Sequence, residues 1–332
     1  MNYTTEEEAY QDVVLHDYSV SGRERQWKEK KKRTEFLSMM YFSLAKQNTE
    51  KKDRYSSRAL RLEKCGRLLT FSVLENGSKQ LKNAMFCKIR LCPLCAWRRS
   101  LKIYSNMSRI MEQLKRNKRE YRFLFLTLTV KNCQPEELND LILKMQRAYG
   151  LLYRRKEFRV VKGWYRGLEV THNKRNNTYH PHYHVILVVN KSYFSTTEKE
   201  GYIKQDKWVS LWRSCMDLDY NPIVDIRRVY GDTVRSVSEC AKYTVKDTDY
   251  LDCDDLDMSL DAIKILDEAL DRKRLIAYGG VLKEIRRQLN LGDELDGNLI
   301  HVDEDCIQKG IEVLEETYVW NTGYGNYLRF NR

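Results

Sequence analysis

The chain lacks any apolar run long enough to cross a bilayer. Its longest runs, such as Phe123–Leu126 and Val185–Val189, fall far short of the roughly 20 residues a spanning helix needs. Met1-Asn2-Tyr3-Thr4-Thr5-Glu6-Glu7-Glu8 has no basic flank followed by an apolar core, so no secretory signal is visible. The expectation is an intracellular, cytoplasmic protein with no membrane partner. In a reducing compartment, nine cysteines argue for thiols or a metal site rather than a disulfide framework. There is also no low-complexity linker, no internal repeat and no Gly-x4-Gly-Lys-Ser/Thr phosphate loop. Histidine is scarce, with six in 332 residues, yet four of the six lie between His172 and His184.

What is abundant is charge, unevenly spread. With 42% apolar and 32% charged residues, the chain makes one large or two modest globular domains. Residues 22–131 carry 29 Lys/Arg against 9 Asp/Glu, an excess of 20 within a total of +12, which leaves the remainder at −8. Trp27, Tyr41, Tyr55, Trp97 and Tyr104 are interleaved with that basic half. The combination suits a polyanion, nucleic acid ahead of an anionic membrane surface, although charge runs are also ordinary solvated faces.

Read in order, residues 1–21 are acidic and weakly patterned, a frayed tail. Residues 22–63 read as charged helices, with Phe36, Leu37, Met40, Tyr41 and Leu44 at helical spacing. Ala96–Lys118 and the stretch after Pro135 predict helices, the latter because proline and acids suit a first turn. Tyr121–Val130, Trp164–Thr171 and Ile223–Val229 read as strands, and Tyr202–Met216 and Thr233–Lys246 as helices. An acidic stretch, Asp247–Asp261, separates this core from a final segment whose best-formed helix is Gly280–Leu289. The order predicts an α+β fold: a central antiparallel β-sheet flanked by helices, with an N-terminal zinc-binding helical region. The expected division is 1–60 charged and partly helical, 61–118 basic and cysteine-bearing, 119–252 the sheet core, and 253–332 helical extension.

Two clusters carry chemistry. In Cys87-x4-Cys92-Pro93-Leu94-Cys95, with Cys65 lying 22 positions before Cys87, the Cys-x2-Cys knuckle aims two sulfurs at one ion and two more thiolates complete a tetrahedron. Sulfur donors select zinc; a redox pair would want a thioredoxin-like context that is not there. The second cluster is Tyr179-His180-Pro181-His182-Tyr183-His184, running into Val185-Ile186-Leu187-Val188-Val189. On a strand, His180, His182 and His184 share one face. If the preceding strand pairs with this one through the polar loop 173–178, Glu169 reaches the His182/His184 face. Two imidazoles and a carboxylate leave coordination positions open, and mixed N/O donors beside phosphate fit Mg²⁺ or Mn²⁺. A third piece, Ser238-Glu239-Cys240-Ala241-Lys242-Tyr243-Thr244-Val245-Lys246, puts Glu239, Tyr243 and Lys246 on one side of a helix. Tyr250 shares that phase, but helical phase is its only support and the expected reading is a plain core or surface residue.

Phe125-Leu126-Thr127-Leu128-Thr129-Val130, His180-Pro181-His182-Tyr183-His184 and Lys242-Tyr243-x-Val245-Lys246 resemble, in order, the three motifs of plasmid rolling-circle replication initiators of the HUH endonuclease superfamily. Arg90–Arg99 resembles the cysteine motif of the Gram-positive plasmid Rep family, and Ala277-Tyr278-Gly279-Gly280 its C-terminal block. The resemblance covers roughly residues 60–300. It implies that His182 and His184, with a third ligand, hold a divalent metal on the scissile phosphate. It also implies that Tyr243 attacks to leave a 5′-phosphotyrosine and a free 3′-OH, and that Glu239 later activates water to end the cycle. Implied partners are plasmid origin DNA, double-stranded and as the single-stranded nick site, a host helicase and a host DNA polymerase; a homodimer is compatible. A nearby cation, the metal or Lys246, must favour phenolate, since free tyrosine titrates near pH ~10. The rivals are a relaxase or single-strand transposase of the same chemistry, and a zinc-containing DNA-binding regulator without catalysis.

Overall fold

A computed structural model describes residues 13–19, 21–116, 120–195, 201–229, 244–302 and 311–330. The elements begin with α1 (Trp27–Gln47), α2 (Lys52–Lys64), β1 (Leu68–Leu74), β2 (Lys79–Ala84) and α3 (Pro93–Lys115). There follow β3 (Tyr121–Thr129), α4 (Leu138–Leu152), β4 (Val161–Asn173), β5 (Thr178–Asn190), α5 (Gln205–Met216) and β6 (Val224–Arg228). The last are α6 (Asp247–Tyr250), α7 (Leu256–Leu270), β7 (Ile276–Gly279), α8 (Gly280–Gln288), β8 (Glu312–Asn321) and β9 (Asn326–Arg329). The described residues up to Lys102 and from Asp293 onward make one compact unit, and those from Ile103 to Gly292 a second. Among the described residues no helix is long and apolar enough to cross a membrane.

In the first unit α1 and α2 bury Leu37, Met40, Tyr41 and Leu44 against Tyr55, Ala59 and Leu62, the face that the helical spacing marks out. A second sheet, unanticipated from the pattern, runs β2-β1-β8-β9, all antiparallel. It joins residues near 70 to residues near 317, as in Leu69↔Tyr318 and Phe71↔Glu316. The final segment, expected to be helical, thus supplies three strands, two here and β7 in the other sheet. Nor do residues 13–18 fray: Val14 bridges Leu328, Leu15 N–H donates to Tyr327 O, and Leu15 is buried. Residues 1–12 and 20 of that stretch lie outside the described residues.

The second unit is built on a five-stranded antiparallel sheet ordered β6-β3-β5-β4-β7. One face carries α4 and α5, with α7 packed against α4. There Tyr149 packs edge-on to Tyr183, which also faces Trp212, and the Trp212 indole N–H donates to Thr129 O. Among the described residues the opposite face is covered only in part. Ile103, Met107, Ile110 and Met111 of α3, with Leu282 and Ile285 of α8, pack on Phe125, Tyr165, Ile186 and Val188. Alternation along β5 then continues that same face through His184, His182 and His180, beyond the apolar cluster. A polar half-face thus lies beside an apolar one.

Two expectations need correction here. Most of the helix predicted over Thr233–Lys246 lies outside the described residues, but Thr244–Lys246 is not helical: Lys246 is extended and caps the short α6. The acidic stretch Asp247–Asp261 is no separator. It contains α6 and the start of α7, which is longer than α8, and it buries Tyr250, Leu251 and Ser259. Acidic side chains at positions facing water leave the apolar ones free to pack.

Candidate metal centres and active site

Cys65 follows α2, Cys87 and Cys92 lie in the loop before α3, and Cys95 is in its first turn. All four are buried, and their sulfurs gather within 4.8 Å of one another. The Cys65 sulfur is 3.7 Å from that of Cys92 and 3.5 Å from that of Cys95, and Cys87 is 3.6 Å from Cys95. Backbone N–H groups of Cys87, Lys88 and Cys95 donate to the sulfurs of Cys65, Cys95 and Cys92. Lys88 takes a left-handed φ of 59° to turn its N–H inward. Burial pushes the Cys65 and Cys87 thiols well up. For Cys92 burial acts the same way, but hydrogen bonds from the other three cysteines outweigh it and hold the thiol low. Lys31, fully buried on α1, adds a compensating positive charge near Cys65 and Cys92 and donates to Glu63 O at 2.9 Å. The donor set can hold one soft cation.

The second centre is set by strand register. Glu169 of β4 lies directly across from His182 of β5, and Gly167 across from His184. On the other side Thr129 pairs with His182 and Thr127 with His184. Glu169 Oε2 is 2.9 Å from His184 Nε2 and 3.6 Å from His182 Nε2. His182 Nδ1–H donates to His180 O at 3.2 Å, which turns its Nε2 toward Glu169. Thr127 Oγ1 lies 3.5 Å from His184 Nδ1, and the Phe125 ring stacks on the His184 ring. Burial alone would raise the Glu169 carboxyl; hydrogen bonds and charge from His182 and His184 outweigh it and hold the carboxyl well below the usual range. Two ring nitrogens and a carboxylate oxygen converging within 4.8 Å could hold a metal ion between them.

His180 shares the face, its ring 5.2 Å from that of His182, but it is not part of the converging group. Burial and the neighbouring His182 charge lower its basicity. Lys246 is exposed at the start of α6 and Tyr250 is buried in the core, which favours the packing role for Tyr250. Tyr243 and Glu239 lie outside the described residues. Thr244, next after Tyr243 in sequence, accepts a hydrogen bond at its carbonyl from the N–H of Val170, next after Glu169.

Sequence reasoning passed over Thr127, His172 and Arg166. Thr127 was legible as a polar residue at period two in an apolar strand. His172 falls on the face away from Glu169, and Arg166 is buried there with its guanidinium over the Tyr149 and Tyr183 rings. The basic half is also partly structural. Lys31, Arg98, Arg99 and Lys102 are buried, and the Arg98 and Lys102 side chains donate to backbone carbonyls of Leu299, Asp293 and Asn298.

A replication protein family profile matches residues 78–328, three quarters of the chain. "Protein rep" of Bacillus amyloliquefaciens is 39% identical over 95% of this chain and 97% of its own length. "Protein rep" of Streptococcus pneumoniae serotype 2 is 36% identical over 97% of each. A third, from Bacillus sp, is 42% identical over 75% of this chain and 86% of its own. No solved structure matches. With the motifs in order and likeness over nearly the whole length, the chain belongs to the replication protein family, the plasmid replication initiators that its motifs resemble.

Proposed function

We propose that this chain nicks one strand of a plasmid double-strand origin with Tyr243 and starts rolling-circle replication from the free 3′ end. One observation carries the reading: the Val170 N–H to Thr244 O bond ties the residue after Tyr243 to the residue after Glu169, beside His182 and His184. The catalytic core is then 119–252, with 61–118 contributing zinc and DNA binding.

Glu169, His182 and His184 would hold a divalent ion, Mn²⁺ or Mg²⁺. When bound, the ion supplies charge that polarises the scissile phosphate. The Tyr243 oxygen bonds to phosphorus as the P–O3′ bond breaks, and the departing 3′ oxygen takes up a proton to become the primer hydroxyl. Lys246 favours the phenolate by its charge. Glu239 takes a proton from the water that hydrolyses a later phosphotyrosine, ending the round. A host polymerase would then extend the free 3′ end while a host helicase unwinds the duplex.

The four cysteines suit zinc. Zn–S bonds near 2.3 Å put tetrahedral sulfurs about 3.8 Å apart, close to the separations of 3.5 to 3.7 Å found here.

The test is cleavage of supercoiled plasmid carrying a candidate origin, with and without Mn²⁺. Wild-type protein should give nicked circles and a covalent DNA adduct. Tyr243→Phe should bind and not nick, while Glu239→Ala should still form the adduct and fail at terminating hydrolysis. Binding without cleavage under any metal would return the protein to the non-catalytic regulator reading.

A further inference from the structure

The edge of β4 changes partner along its length. Trp164 to Gly167 pair with β7, and beyond that the Leu168 N–H donates to Leu275 O and the Val170 N–H to Thr244 O. Residues 170, 172 and 174 follow one another at period two, and each reaches the same downstream segment. After the Val170–Thr244 bond, His172 Nδ1–H donates to Asp249 O at 3.0 Å, and Lys174 Nζ pairs with Asp252 Oδ2 at 2.8 Å.

Of these three contacts, the one from His172 is built in. The ring is buried and lies flat on Tyr179, centroids 4.4 Å apart and planes 8° from parallel. Tyr179 is itself fixed by a two-way backbone bridge to Cys133. The other ring nitrogen, Nε2, is 2.9 Å from the side chain of Asn177, which sits at a left-handed φ of 47° in the β4–β5 turn. Both nitrogens are therefore engaged, one to the turn and one to α6. The ring cannot be serving the metal group, because residues 169 and 172 fall on opposite faces of the strand.

We propose that His172 is a positioning residue: it clasps residues 244–252 to β4 from behind the metal face and so sets where the chain leaving Tyr243 begins. This rests on the nickase reading for the role of Tyr243. A tyrosine nucleophile must meet phosphorus in line, and displacement of a reacting group by about 1 Å can cost ~10²-fold in rate. Val170 contributes only a backbone N–H, and the Lys174–Asp252 pair is partly exposed and weak. Of the three contacts from β4, His172 is the buried side chain that bonds the segment, alongside the packing of Val245, Tyr250 and Leu251.

The experiment compares full-length wild type, His172→Phe and His172→Asn. Phenylalanine keeps a flat ring on Tyr179 and removes both nitrogens; asparagine returns an N–H near the Nδ1 position. Four quantities are measured: hydrogen exchange of amides 244–252, Mn²⁺ affinity, affinity for a single-stranded origin oligonucleotide, and single-turnover adduct formation on it. His172→Phe should speed exchange in 244–252 and leave β4 and β5 protected. It should keep Mn²⁺ affinity and oligonucleotide affinity, and slow adduct formation by ~10²-fold. His172→Asn should recover much of the rate. Unchanged exchange in His172→Phe overturns the clasp. Faster exchange with an unchanged adduct rate overturns the positioning role alone. Loss of Mn²⁺ affinity in step with rate overturns it too, because His172 would then be acting through the metal face. A wild type that forms no adduct defeats the nickase reading and the positioning role together.

Discussion

The four-cysteine cluster and the Glu169–His182–His184 group are both gatherings of metal-ligating side chains, and they differ in every respect that matters to chemistry. The cysteines come from a helix end, a loop and a helix start, are sealed from water, and fill a tetrahedron with sulfur. The second group comes from two adjacent strands, keeps its histidine side chains 12% and 16% exposed, and offers only three donors. A closed shell ties distant segments together and has no position left for a substrate. An open shell on rigid strands does little for folding and leaves room for a phosphate oxygen.

That contrast can be broken by substitution. The largest effect is expected from Cys92→Ser. Structural zinc sites contribute ~10–16 kcal/mol of apparent binding free energy that is also folding free energy. The variant should lose the one zinc proposed for the cluster, seen in metal analysis, and unfold the first unit at far lower denaturant. Unchanged stability without metal would remove the cluster from the structural class.

His184→Ala should behave in the opposite way. Thermal unfolding should barely move, while Mn²⁺ affinity falls by at least ~10–100-fold, the loss typical of merely second-sphere changes. Nicking should drop to background. A large fall in unfolding temperature would mean that the strand histidines are part of the fold's support.

Gly66→Ala sharpens the comparison from the backbone side. Gly66 has φ +60° directly after Cys65, and a Cβ there would stand 2.3 Å from Leu94 Cδ2. Left-handed strain alone costs roughly 1–2 kcal/mol, and the clash adds to it. Denaturant midpoints should shift, with Mn²⁺ binding untouched.

The smallest effect separates structural from DNA-facing charge. Origin affinity should fall steeply with salt if exposed cations of residues 22–131 meet phosphates. Lys102→Met should cost about 1–3 kcal/mol of stability by leaving carbonyls unpaired and leave the salt slope unchanged, because Lys102 is buried against Asp293 O and Asn298 O. A flatter slope would mean that Lys102 reaches DNA.

Much of the second unit could be read in advance because its signals are short-range. The β-branched run after His184, the Pro135 start and the stripe along α3 each report a local period. The first unit was read poorly for the converse reason. β1 and β8 find each other across more than 230 residues of chain, and a strand such as Lys79–Ala84 carries little apolar signal of its own.

Residue order alone determined which groups could ligate together. A Cys-x2-Cys turn and an alternating His-x-His strand have geometries set by the nearest few peptide bonds, so the pairs Cys92/Cys95 and His182/His184 were decided locally. Tertiary structure decided the partners. Cys65 joins only because α2 ends beside the loop before α3, and Glu169 faces His182 only because the β4–β5 turn sets that register and no other. A slip of one residue would have turned Glu169 to the apolar face and brought Val170 to the histidines. The same parity sends His172 away from the Glu169–His182–His184 group and toward Asp249, an assignment that no count of histidines could supply.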